Sequence, residues 1–394
     1  MARSALIKTL EGVRRLQTLW LRLRGRTPED VAEERLVSGA AWEEFCDTLK
    51  AAGAALRFPG APTDAFHQAE GYRYLTRLLR AGLEGLLEDA DPHAPVLKRV
   101  VHETAKMGAD NPDNYYQIAA LRGTCEYRIT GHRGTVSYLG FGTQIGHYGQ
   151  GGGLPPTGFL EGSQLQLEPD GRFEIAVSRE PRPGNWLPMS AETGMLLVRQ
   201  TRKDRAREVL ATLTITRVDG PHQPAPLTPQ QVEQGLRDAS TLVAGASLLF
   251  SKWARDFQRQ ANALPRFDQE TSNRAGGDPN IAYYHSYWRL GPDEALLIEV
   301  TPPPCEYWNF QLNDYWMESL DYRFFPIHLN QHSAVAAADG SVRIIVAHRD
   351  PGRPNWISTA GHDQGTMCLR WVRAQSHPVP RTRVVPFAEV SVHG

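Results

Sequence analysis

DGSVRIIVAHRDPGRPNWISTAGHDQGTMCLRWV (residues 339–372) and DGRFEIAVSREPRPGNWLPMSAETGMLLVR (residues 170–199) are two versions of one pattern. In the first, the turn-forming Asp339-Gly340 leads into alternating apolar positions at Val342, Ile344 and Val346, which predicts a strand with one buried face. A Pro- and Gly-rich loop ends in Asn355-Trp356-Ile357. The chain then passes through Gly361-His362-Asp363-Gln364-Gly365 into a second strand at Met367, Leu369 and Trp371. In the other version Asp170-Gly171, then Phe173, Ile175 and Val177, then Asn185-Trp186-Leu187 and Gly194 to Arg199 occupy the same places. Upstream, Pro112 before Tyr115-Tyr116 matches Pro279 before Tyr283-Tyr284, and Tyr138 and Phe141 match Tyr307 and Phe310. The offset stays between 167 and 171, so the chain carries an internal duplication.

Each copy offers about six to eight short strands, which suits a β-sandwich or jelly roll. Outside the copies the period becomes helical. Thr27-Pro28 reads as a helix start, Asp64 to Leu87 carries Tyr72, Leu75, Leu78, Leu79, Leu83 and Leu86 at spacings of three and four, and Pro229 opens a long helical run after Thr228. The expected class is α+β. A helical region over 1–105 precedes β-sandwich repeat 1 over 106–218, a helical connector over 219–280 and repeat 2 over 281–394. Strands and helices do not alternate, which disfavours a parallel α/β fold.

A formal net charge of −1 gives no electrostatic footprint for nucleic acid. Cys46, Cys125, Cys305 and Cys368 are scattered, without zinc or disulfide spacing, which points to a reducing, cytoplasmic setting. No stretch approaches the roughly 20 apolar residues of a membrane span. The basic amino terminus lacks the features of a secretory signal. Its Leu6, Leu10, Val13, Leu16 and Trp20 share one helical face, which would dock on the protein itself, on a second copy in a homo-oligomer, or on a membrane surface. The glycine run before Leu154-Pro155-Pro156 lacks the Lys-Ser/Thr ending of a phosphate loop, so no nucleotide cofactor is expected. His328 and His332 are spaced by four outside any convincing helix, and no metal site is expected from them.

The Asn-Trp-Leu/Ile element followed by Gly-Thr/Met and a strand ending in Arg resembles the bacterial domain-of-unknown-function 1214 family. Asn185-Trp186-Leu187-Pro188 fits that family's pattern best; Asn355-Trp356-Ile357-Ser358 departs from it at the Pro. Asp110-Asn111-Pro112-Asp113-Asn114 is similar to the amino-terminal part of such proteins. The resemblance covers about 105–373. It implies a β-sandwich and brings no reaction or catalytic residue.

The copies diverge where chemistry would sit. Leu139-Gly140-Phe141-Gly142 in copy one stands against Trp308-Asn309-Phe310-Gln311 in copy two, and Ser190-Ala191-Glu192-Thr193 against Ala360-Gly361-His362-Asp363-Gln364. Aromatic rings with a few convergent polar groups are the usual lining of a small-molecule site. Alternation puts Tyr307, Asn309, Gln311 and Asn313 on one face, either solvent-exposed or lining a polar pocket. His362-Asp363 is the acid–base candidate, since a carboxylate raises a contacting imidazole's basicity; the alternative is that Asp363 caps the turn while His362 bonds a neighbouring strand. The expected proton-transfer groups are His362, Asp363 and Asp314. The expected ligand contacts are Trp308, Trp316 and Trp356 as walls, with Tyr284 and His285 beside them. Asn309, Gln311, Asn313 and Asn355 would orient the ligand, and Arg349 and Arg370 would hold an anionic group or anchor salt bridges. The functional expectation is an enzyme acting by acid–base chemistry, without metal, on a small, partly apolar molecule in repeat 2, of lyase, isomerase or hydrolase type. The alternatives are a non-catalytic sugar- or lipid-like ligand binder and a structural or assembly protein.

Overall fold

The computed structural model describes residues 25–148, 153–221 and 223–391. The basic amino-terminal face and the glycines of 149–152 lie outside the described residues.

Three helices come first: α1 (Pro28–Val37), α2 (Ala40–Ala52) and α3 (Ala65–Leu83). Thr27 and Asp30 close a reciprocal capping box on α1 with Pro28 in its first turn, as the sequence predicts. Asp64 caps α3, which ends in a single π turn at Glu84–Glu88. Helix therefore stops before 105, and residues 89–113 run without regular structure apart from isolated bridges such as Lys98 to Ile118.

Repeat 1 contains β1 (Asn114–Ala120), β2 (Tyr127–His132), β3 (Tyr138–Gln144), β4 (Pro156–Glu161), β5 (Arg172–Ser178), β6 (Trp186–Pro188), β7 (Met195–Thr201) and β8 (Thr212–Arg217). Two connecting helices follow, the 29-residue α4 (Pro229–Phe257), capped by Thr228 and Gln231, and the short α5 (Gln269–Arg274). Repeat 2 contains β9 (Ile281–Arg289), β10 (Glu294–Val300), β11 (Tyr307–Leu312), β12 (His328–Asn330), β13 (Val342–Ala347), β14 (Trp356–Ser358), β15 (Gln364–Val372) and β16 (Arg381–Pro386).

The duplication is reproduced strand for strand. Repeat 1 forms sheets β1-β7-β3-β4 and β6-β5-β2-β8; repeat 2 forms β9-β15-β11-β12 and β14-β13-β10-β16. Pairing is antiparallel except that the three-residue β6 and β14 run parallel to β5 and β13. In each repeat the two sheets share an apolar core: Ile129, Ile175, Phe141 and Val198 in the first; Leu296, Ile344, Trp308, Leu369 and Trp371 in the second.

The signature elements explain this likeness. Gly171 and Gly340 take φ of 84° and 79°, which glycine adopts without steric cost. The preceding Asp170 and Asp339 accept the backbone N–H two residues on. Asn185 binds the carbonyls of Gln166 and Glu174, and Asn355 those of Val335 and Arg343. The indoles of Trp186 and Trp356 donate to the carbonyls of Ser178 and Ala347. Asn-Trp is thus a clamp that joins two loops to a strand in both repeats. The polar groups expected to meet a ligand at Asn355 and Trp356 are engaged by the protein's own backbone.

One strand escapes the sequence pattern. Pro155-Pro156 reads as a rigid loop, yet Pro156 opens β4, an edge strand that pairs only with β3, where a missing N–H costs nothing. Gln164 to Leu167 reads as strand from its alternation, yet the segment is the end of a 3-10 turn and a loop.

Helix α4 is the spine between helices and repeats. Leu236 and Ala239 pack with Phe45 of α2, while Val243, Ala246, Phe250 and Phe257 join Ile281, Tyr283, Tyr287 and Val372 on the outer face of the β9–β15 sheet. That face is therefore covered, not solvent-exposed.

Candidate functional site

Among the described residues two concavities are walled by buried titratable groups, a cavity between the repeats and a cleft between α3 and repeat 2; a wider groove of about 760 Å³ on repeat 2, lined by Val335, Asn355 and Arg383, has none.

The cavity, about 180 Å³, is framed by equivalent strand pairs. Tyr116 on β1 stands opposite Arg199 on β7, and Tyr283 on β9 opposite Arg370 on β15. Both arginines are buried. The loop that precedes each repeat crosses to the other. Arg199 donates to the Gly276 carbonyl and Arg370 to the Ala109 carbonyl, each at a residue with positive φ (83° and 57°). Two residues further on stand Asp278-Pro279 and Asn111-Pro112. Asp278 and Asn111 each accept a backbone N–H two residues on at 3.0 Å. Their own N–H groups donate to the phenols of Tyr283 (3.1 Å) and Tyr116 (3.0 Å).

This two-fold likeness breaks at one atom pair. Asp278 Oδ2 lies 3.8 Å from Arg199 and accepts the Tyr138 hydroxyl at 2.8 Å. The matching residue, Asn111, carries no charge. Arg370 instead donates to the amide oxygens of Asn309 (3.3 Å) and Gln311 (2.6 Å), and among the described residues no carboxylate forms an ion pair with it.

His285 also faces this cavity, its ring stacked on Tyr283 (5.5 Å) and Phe257 (5.9 Å). Burial first, and the Arg370 charge second, push its pKa down to about 3, so the ring is neutral at ordinary pH. Its Nδ1 has no hydrogen-bond partner. Val100, Ile118, Leu197, Leu242, Phe250 and Trp253 form the apolar wall.

The cleft, about 170 Å³, lies where one face of α3 meets the turn after β11. Phe66, Glu70, Arg73 and Arg77 recur at helical spacing and point to one side. The opposing turn is tight: the Asp314 N–H donates to the Glu318 carbonyl (2.9 Å), the Glu318 N–H donates to Asp314 Oδ1 (3.0 Å), and Met317 takes φ of 60°. Carboxylate oxygens of Glu70, Asp314 and Glu318 thereby lie within 4.8 Å of one another. These are the residues that could hold a hard cation. Arg77 already donates to Glu318 at 2.8 Å and Arg73 to Glu70 at 3.2 Å, so Asp314 is the carboxyl of the three without an arginine partner.

Burial, then the neighbouring Glu318, holds the Asp314 carboxyl well above its usual range. Burial raises Glu318 to about 7 against the opposing pull of Arg77. Two adjacent carboxyls at low dielectric cannot both ionise cheaply, so one keeps a proton near neutrality. His362 lines the same cleft. Its Nδ1 lies 3.2 Å from the Thr359 carbonyl, its Nε2 has no partner, and burial followed by the His67 charge lowers its pKa.

The predicted residues divide accordingly. Asp314 and His362 share the cleft; His285 and Arg370 share the cavity. Asp363 does not pair with His362: its side chain is 64% exposed and approaches His67 Nε2 at 3.5 Å. Neighbours on a tight turn diverge even when flanked by Gly361 and Gly365. Asn309, Gln311 and Asn313 form a buried amide row satisfied by Asn111, the Asp110 carbonyl, Arg370 and Thr366, so their polarity is spent within the protein. Tyr284 and Trp308 belong to the sandwich core, on the other face of their strands. Trp316 is buried against α3 and donates to the His67 carbonyl. Arg349 is exposed and pairs with Asp293 at 2.7 Å. Sequence reasoning missed Tyr283, Glu70 and Arg199, and it sets aside a pairing of Asp314 with Glu318 for want of a supporting spacing. The register between repeats could have supplied Tyr283 and Arg199, whereas Glu70 reaches the cleft only through docking of α3.

Residues 295–376, from β10 to just past β15, match the family described as "Protein of unknown function (DUF1214)". An uncharacterised protein of Burkholderia cenocepacia, solved by crystallography, is 52% identical and covers 90% of this chain and 99% of its own, with a TM-score of 0.88. The VPA0106 protein of Vibrio parahaemolyticus covers 80% of this chain and 98% of its own at 11% identity, with a TM-score of 0.46, too distant to support an argument. No curated protein matches. Among the described residues no helix is long and apolar enough to cross a membrane. By its matched strands and its near-complete overlap with the Burkholderia protein, the chain belongs to the DUF1214 family.

Proposed function

We propose that the protein is an enzyme that moves protons on a small, partly apolar molecule held in the cleft between α3 and the turn after β11. One observation carries this reading: Asp314 and Glu318 are adjacent, fully buried carboxyls, both held above the usual carboxylate range, at the wall of an open cleft. Such a pair offers an acid and a base at once near neutral pH. Glu318, whose carboxyl Arg77 fixes, ionises first and is the base, and Asp314, without a cation of its own, retains the proton and is the acid. The Nε2 of neutral His362, with Nδ1–H committed to the Thr359 carbonyl, accepts a substrate hydroxyl or shuttles the proton. Phe66, Leu320 and Phe325 supply the apolar contact. Proton abstraction next to a carbonyl, followed by isomerisation or elimination, is the chemistry this set performs most directly. The four unpaired cysteines agree with a reducing, cytoplasmic setting.

The test is deuterium exchange. Small carbonyl compounds are incubated with the full chain in deuterated water, and label next to the carbonyl is followed by NMR. The wild-type chain catalyses exchange, Asp314→Asn abolishes it, and His362→Ala slows it with the fold retained by circular dichroism. Equal exchange by the wild-type and Asp314→Asn chains across the panel would remove the basis for this reading.

A further inference from the structure

We propose that the inter-repeat cavity, a site separate from the carboxylate cleft, binds a small apolar monocarboxylate, with Arg370 as its counter-ion. A guanidinium stays protonated wherever it is buried, and a buried charge without an opposite partner is costly. Arg199 meets this cost with Asp278, whereas the residue that matches Asp278 in the other loop is the neutral Asn111, and among the described residues Arg370 donates only to neutral acceptors. The duplicated architecture supplies its own control: the same arginine on the same strand is neutralised in one copy and left open in the other.

The remaining polar groups point to the same ligand. The phenol oxygens of Tyr116 and Tyr283 already accept backbone N–H groups, which leaves each O–H to donate. His285 Nδ1 has no partner and can carry the imidazole proton. Asp110, the carboxyl at the cavity wall, is turned to Ser319, whose N–H (3.0 Å) and hydroxyl (2.8 Å) it accepts. Donors therefore converge on one positive charge that has no ion-pair partner among the described residues and that Asp110 offsets only at longer range, which calls for a single negative charge with paired oxygens.

The rest of the ligand is set by the wall. Leu197, Leu242 and Phe250 offer no polar group to an inorganic anion but bury hydrocarbon well. The volume, about 180 Å³, slightly exceeds the roughly 150 Å³ apolar cavity that accommodates benzene. One aromatic ring or a short aliphatic chain bearing a carboxylate fits; a long-chain lipid does not.

The experiment uses the full chain. Mass spectrometry of denatured protein first identifies any small molecule carried through purification: an apolar monocarboxylate supports the proposal, and a retained molecule of another class overturns it. With the cavity empty, calorimetry compares phenylacetate and octanoate with their neutral counterparts 2-phenylethanol and octan-1-ol. The carboxylates are expected to bind at least tenfold more tightly than the alcohols. Asn111→Asp, which supplies Arg370 with the internal carboxylate that Asp278 gives Arg199, is expected to weaken carboxylate binding tenfold or more. Leu197→Trp, which fills the cavity from the wall and leaves Arg370 untouched, is expected to abolish it; thermal melting confirms that both variants fold. Equal affinity for acids and alcohols, undiminished binding by the folded Leu197→Trp chain, or no binding of any probe would each overturn the proposal.

Discussion

Replacing Glu318 with Gln should flatten the dependence of stability on pH. Glu318 is 1% exposed; one oxygen receives Arg77 and the other has no hydrogen-bond partner. Burial raises its pKa from the ordinary 4.5 to about 7. Between those values the folded chain holds a proton that the unfolded chain has released. Stability from this group is therefore complete below the unfolded value and is lost as pH rises through the folded one. At about 1.4 kcal/mol per pH unit the loss is about 3 kcal/mol. Unfolding entropies near 2.1 cal/mol/K per residue convert this to roughly 4 °C for a chain of 394 residues. Gln keeps the acceptor for Arg77 but cannot ionise, and it removes the charge that raises Asp314. Melting followed by circular dichroism from about pH 5 to pH 8 should show the Glu318→Gln chain gaining on the wild type by that amount as pH rises. Parallel curves over the whole range would refute the coupling of the two carboxyls, and with it the electrostatic basis of the cleft.

Asp278→Asn should recreate around Arg199 the uncompensated state of Arg370. Loss of the buried partner predicts a cost of about 3 kcal/mol in denaturant unfolding, and a cost below about 0.5 kcal/mol would show that Asp278 is not the counter-ion. Gly71→Ala should destabilise by about 1–3 kcal/mol despite alanine's better helix propensity. Its Cβ would lie 2.7 Å from Trp316 and 2.8 Å from Leu56, so a raised melting temperature would contradict the packing of α3 on repeat 2.

The asymmetry between the repeats organises both concavities. In repeat 1 the positions equivalent to Asn309 and Gln311 are Gly140 and Gly142, and the strand leaves room for the loop that carries Asp278. In repeat 2 the amides fill that room, bind the loop at 110–111, and take over as acceptors for Arg370. The aromatic and polar enrichment of the second copy is thus largely structural. Most of it furnishes a buried interface, and Tyr283, His285, Arg370, Asp314 and His362 are the members that reach a concavity.

What the sequence determined by itself is what local chemistry and repetition encode. Asp-Gly turns, period-2 strands, the capping boxes at Thr27 and Thr228, and a register offset of 167 to 171 are sufficient for two β-sandwiches flanked by helices. Alternation likewise assigned Tyr307, Asn309 and Gln311 to one face. It could not decide whether water, a ligand or another segment meets that face, because the answer lies in a loop some two hundred residues away. For the same reason His362 and Asp363, adjacent in the chain, diverge, while Glu70 and Glu318 converge through the docking of α3. Tertiary structure alone decided the sites, since desolvation and charge pairing depend on which distant groups share a low-dielectric space.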